Sequence, residues 1–78
     1  MAYNYFVMEI FFEVRESPEG GFEARALGES IFTQGDDLES VRSNIIEAVE
    51  CHFEEGKQPK WVRLLFLREE VLPIASSA

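Results

Sequence analysis

Three carboxylates stand almost together at Asp36, Asp37 and Glu39, in a chain with few other groups able to do chemistry. Clustered carboxylates can hold Mg²⁺ and position a phosphoryl group or a water. On that basis a small metal-dependent hydrolase or nuclease is one reading. Capping explains the same residues without a metal. A short acidic side chain at the start of a helix accepts the free backbone N–H groups there, and its charge suits the positive end of the helix dipole. Asp36 with Glu39 three residues later resembles a capping box, and Asp37 is the competing N-cap. Capping is the preferred account.

The remaining reactive types are dispersed. Glu47, Glu50, Cys51 and Glu54 recur at spacings of three and four, which places them on one helix face. A soft-metal site would need more sulfur or imidazole. Carboxylates around Cys51 also disfavour its thiolate, so it is a spectator. The single histidine, His52, projects about 100° away from Cys51 and does not form a dyad with it. It reads as a core-edge or interface histidine. Arg15, Arg25, Arg63 and Arg68 can pair with neighbouring carboxylates or line a partner surface. No Walker or dinucleotide glycine loop and no serine-nucleophile motif is present. No catalytic residue, metal or cofactor is therefore assigned.

The elements that must carry these groups can be read from periodicity. Phe6, Met8, Ile10, Phe12 and Val14 fall on alternate positions, the signature of a strand with one buried face. Ser17-Pro18-Glu19-Gly20-Gly21 interrupts it as a hairpin loop, with proline setting the first corner and glycine taking the left-handed positions. Phe22, Ala24 and Ala26 continue on a second strand, and Ser30 to Gln34 reads as a third. Gly35-Asp36-Asp37 ends that strand and starts a helix expected over Leu38 to Glu55, with Gly56 as its stop. Leu38, Val41, Ile45, Ala48, Val49, His52 and Phe53 share its apolar face. Trp61 to Leu67 is a fourth strand, apolar on both sides. The expected fold is α+β, in the order β-β-β-α-β, an antiparallel sheet with one helix packed on one face. Residues 1–74 form a single domain and 75–78 a flexible tail.

Composition limits the function classes. The chain has 78 residues and a net charge of −8, from fifteen carboxylates against seven cations. That balance opposes phosphate-driven nucleic-acid binding and anionic membranes, and suits a basic protein partner. No apolar run reaches the roughly 20 residues of a membrane span. Nothing resembles a secretion signal, so a cytoplasmic location is expected. A chain this short buries only about 60–65% of its unfolded surface, which favours association with another chain. Trp61, Leu65 and Leu67 lack a second layer within one chain, so a homodimer or higher oligomer is expected through them. Together with Glu47, Glu50 and Glu54 they make up the candidate interface. Gly20, Gly21, Gly35, Asp36 and Asp37 are the structural turn and cap.

The order of these pieces resembles the HicB-like family. Gly20-Gly21-Phe22, Ala24, Gln34-Gly35-Asp36-Asp37-Leu38-Glu39 and Asn44-Ile45-Ile46-Glu47-Ala48 carry the resemblance, across about Ile10 to Glu55. It implies a partial ribonuclease-H-like fold without that enzyme's catalytic carboxylates. It also implies a non-enzymatic module of the antitoxin N-terminal type, which neutralises a small basic RNA-cleaving protein of the HicA type. Such antitoxins usually add a C-terminal DNA-binding domain, which is not expected in these 78 residues. Leu27-Gly28-Glu29-Ser30 replaces the family's Pro-x-Leu-Pro-Gly, and Asp37 replaces a threonine. A standalone subgroup sharing the stretch from Ala26 to Gly35 is often labelled 2-oxoisovalerate dehydrogenase. A thiamine-diphosphate enzyme needs a large cofactor cleft and a Mg²⁺-diphosphate motif, so the resemblance carries the scaffold and not that activity.

Overall fold

The computed structural model describes residues 9–75. The elements are β1 (Glu9–Glu16), β2 (Phe22–Ala26), β3 (Phe32–Gly35), α1 (Leu38–His52) and β4 (Trp61–Phe66). The α+β class and the β-β-β-α-β order agree with the expectation. Phe6 and Met8, the expected start of the first strand, and the tail beyond Ala75 lie outside the described residues.

The four strands form one sheet in the order β3-β2-β1-β4. β1 and β2 are antiparallel, with Val14 opposite Ala24, and β2 and β3 are antiparallel, with Ala24 opposite Thr33. β4 instead lies parallel to β1, with Ile10 opposite Val62 and Phe12 opposite Leu64. The sheet is therefore mixed and not wholly antiparallel. The reason is the crossover. β3 runs in the same direction as β1, and α1 carries the chain back across the sheet before β4 begins, so β4 enters in that direction too.

One face holds the core. Ile10, Phe12 and Val14 of β1, with Ala24 and Ala26 of β2, meet Val41, Ile45 and Val49 of α1, and all are buried. The period-two and helical stripes thus face each other. Leu38, Ala48, Phe53, Val62 and Leu64 pack around them half-buried. α1 packs chiefly on β3 and β2. β4 is covered less, and Phe66 is 56% exposed although its pleat position faces the helix layer.

Three boundaries differ from the expectation. The third strand begins at Phe32, because Ile31 is drawn into the core and its carbonyl accepts the Ala26 N–H at 2.9 Å. The helix ends at His52, where Phe53 turns extended (φ −105°, ψ 147°) and its N–H still reaches the Val49 carbonyl. That turn brings the Phe53 ring onto the core. Gly56, at φ 85°, serves a separate turn in which Lys57 N–H donates to the Glu54 carbonyl. β4 ends at Phe66, although the Leu67 N–H still donates to the Val14 carbonyl at 2.8 Å.

Candidate functional site

The cap is resolved in favour of Asp37. Its extended backbone precedes the helix, and its Oδ1 accepts the Ser40 N–H at 2.8 Å. The same bond holds its carboxyl below the usual carboxylate pKa, because it favours the ionised form. A folded-state pKa below the unfolded one means the stabilisation is present above the unfolded value. It is lost as pH falls through the folded value. The stability difference between wild type and Asp37→Ala is therefore expected to be widest at neutral pH and to narrow in acid. Urea titrations between about pH 7 and pH 2 check it, and a difference that does not change with pH contradicts it.

The structure brings the hairpin and the cap together. A Cβ at Gly21 would lie 2.5 Å from the Gly35 carbonyl oxygen, so only glycine allows the hairpin tip to touch the end of β3. Between them lies an open cleft of about 720 Å³, bordered by Ser17, Glu19, Asp36, Glu39, Ser40 and Ser43. Asn44 closes one side, its amide donating to the Gln34 carbonyl at 2.7 Å. The carboxylates here do not converge: among the described residues no three His, Cys, Asp or Glu side chains are grouped to hold an ion.

The other candidate residues fall on opposite sides of the molecule. Trp61 and Leu65 point to the sheet face away from α1, and are 66% and 45% exposed. Leu67 follows just past the strand and is also exposed. The same face carries cross-strand charge pairs. Arg63 pairs with Glu9, Arg15 lies 3.5 Å from Glu23, and the Arg25 guanidinium sits 5.9 Å from the centre of the Phe32 ring. Counting Glu13, three carboxylates balance three arginines, so this face is neutral.

Glu47, Glu50 and Glu54 lie on the outer surface of α1 and its C-terminal turn, all exposed. Glu54 pairs loosely with Lys57 at 3.5 Å. Between 36 and 55 stand seven carboxylates (Asp36, Asp37, Glu39, Glu47, Glu50, Glu54 and Glu55) and one cation, Arg42. That segment therefore holds −6 of the chain's −8. Ile46, half-exposed, sits among these charges. Its place about 100° from Ile45 takes it off the apolar stripe, so helical periodicity alone does not mark it. Cys51 is free and exposed on the same side. His52 is exposed at the helix end: its Nε2 is 3.1 Å from Glu29 and its ring meets Phe53 edge to face at 5.0 Å. It ties the helix end to the β2–β3 loop.

Fold and surface together define a two-layer sheet-and-helix domain whose helix and flanking turns carry most of the net negative charge, with a neutral, partly apolar sheet face behind. Two relatives share one family name. A UPF0150 protein of Archaeoglobus fulgidus is 56% identical over 45 residues, covering 58% of this chain and 68% of that protein. A UPF0150 protein of Thermotoga maritima is 41% identical over 66 residues, covering 85% of this chain and 93% of that protein. The chain belongs to the UPF0150 family. No family model matches it, and no solved structure does. No helix among the described residues is long and apolar enough to cross a membrane.

Proposed function

We propose that this protein is a non-enzymatic interaction module that binds a small basic protein on the outer surface of α1, as a HicB-type antitoxin binds an RNA-cleaving partner. The observation that carries this reading is the segregation of charge. The helix and its flanks concentrate −6, while the opposite sheet face is neutral. A predominantly negative surface steers an oppositely charged partner and raises its rate of encounter. Ile46 supplies an apolar centre within a charged rim, the usual anatomy of a protein interface. The HicB-like order of motifs points to the same partner class.

The test begins with the product of a neighbouring short reading frame encoding a basic, histidine-containing protein. Co-expressed, the two chains are expected to co-purify, with affinity falling as salt rises. Replacing Glu47, Glu50 and Glu54 together by glutamine keeps shape and removes three charges. A loss of about tenfold or more in affinity is expected, mostly through a slower association rate. If no such product binds, or if the triple variant binds as tightly as wild type, the reading is wrong.

A further inference from the structure

β4 lies at one edge of the sheet and presents an unusual amount of itself to solvent. Which of its backbone groups face outward follows from one hydrogen bond. The Leu67 N–H donates to the Val14 carbonyl, so position 67 points its backbone at β1. Backbone direction alternates along a strand, as the parallel ladder requires. Trp61, Arg63 and Leu65 therefore also bond toward β1, while Val62, Leu64 and Phe66 turn both N–H and C=O toward the open edge. No partner for these six groups occurs among the described residues. The other edge is managed differently. β3 is only four residues long, ends under the start of α1, and has its Gln34 carbonyl taken by Asn44. β4 has the longer run Trp-Val-Arg-Leu-Leu-Phe, with no proline and a single charge already paired to Glu9. An edge of that kind is a template for another strand.

We infer that β4 pairs antiparallel with β4 of a second copy, centred on Leu64, to give a continuous eight-stranded sheet. The register follows from counting. A two-fold axis perpendicular to the sheet keeps the helices of both copies on one side, and then a residue faces another of its own pleat face. Centring on Leu64 sets Leu64 against Leu64 and Val62 against the second copy's Phe66. All six outward groups of each copy are then used, in six hydrogen bonds. Trp61 lies opposite the second copy's Leu67, and Arg63 opposite its Leu65. Centring on Arg63 instead would form four bonds and set two arginines face to face, which is unfavourable. The preferred register also sets Lys60 opposite Arg68, but both lie beyond the strand and remain solvated. Two six-residue strands meeting at their edges make a small interface, below about 1,200 Å². The dimer is accordingly concentration-dependent, with a dissociation constant in the micromolar range or weaker. It does not involve the acidic helix surface, so it stands or falls separately from the proposed function.

Sedimentation velocity on the full chain from about 5 μM to about 500 μM is expected to show monomer converting to dimer. A chemically synthesised chain with the Leu64 amide N-methylated loses only an outward donor and is expected to stay monomeric with an unchanged circular dichroism spectrum. The register is read by oxidation in a Cys51→Ser background. Opposed hydrogen-bonded residues are about 5.5 Å apart at Cα, within disulfide reach, whereas Arg63 would be about 7–8 Å from its own copy. Leu64→Cys is expected to give a disulfide dimer and Arg63→Cys is not. A wild-type monomer throughout, an N-methylated chain that still dimerises, or cross-linking by Arg63→Cys in place of Leu64→Cys would each overturn the inference.

Discussion

Phe12→Ala is expected to bring this domain close to unfolding at 25 °C, with a loss of about 3–5 kcal/mol. Phe12 is fully buried. It sits on β1 between Ala26 of β2 and Leu64 of β4, beneath the Val41 and Ile45 stripe of α1. Removing the ring leaves a cavity ringed by three strands and a helix, and the paired strands cannot collapse into it without breaking the ladder. The reserve is small: about 0.05–0.15 kcal/mol per residue, or about 4–12 kcal/mol for a chain this size. Phe32 is the control. It is 53% exposed on the bare sheet face, and Phe32→Ala is expected to cost under about 1 kcal/mol. Urea unfolding followed by circular dichroism compares the two. Equal midpoints would show that the core is not where it has been placed.

Gly35→Ala is expected to cost about 1–3 kcal/mol, toward the upper end, for a reason unrelated to backbone angles. A Cβ at this position would lie 2.6 Å from the Val41 nitrogen, 2.9 Å from its Cα and 3.0 Å from the Ser40 carbonyl carbon. All three are backbone atoms, so no side chain can swing aside. Either β3 or the first turn of α1 must shift. Val41 is buried and its N–H donates to the Asp37 carbonyl at 3.0 Å, so a shift disturbs core and cap together. Gly56→Ala supplies the comparison: it has positive φ (+85°) but open space around it, so only local strain of about 1 kcal/mol is expected. Thermal melts should rank Gly35→Ala below Gly56→Ala. The reverse ranking would mean that β3 does not press on the helix start.

Much of this architecture was legible because its causes are local. Alternation at Ile10, Phe12 and Val14 and the helical spacing of Val41, Ile45 and Val49 identify buried faces, since pleat and helix pitch fix which side chains share a side. The Ser17 to Gly21 loop and a helix start within Asp36-Asp37 are decided by neighbours two to four residues away. The acidity of the 36–55 segment was equally visible, and so was the surplus apolar surface of Trp61, Leu65 and Leu67. Whether Asp36 or Asp37 would cap was not visible, because both spacings are permitted until the strand before them is anchored.

What needed the tertiary structure is every relation between distant segments. The sequence alone determined two-layer composition, a hairpin, a capped helix and an apolar last strand. Only the assembled sheet decided that β4 joins β1 in parallel, that α1 rests chiefly on β3 and β2, and that Gly21 meets Gly35. It also separated the candidate interface residues, setting the glutamates of α1 behind the sheet from Trp61 and Leu65. The physical reason is one of range. A strand's buried face follows from its own stereochemistry, but its neighbour follows from which pairing lets the whole chain bury its apolar surface with its backbone hydrogen bonds made.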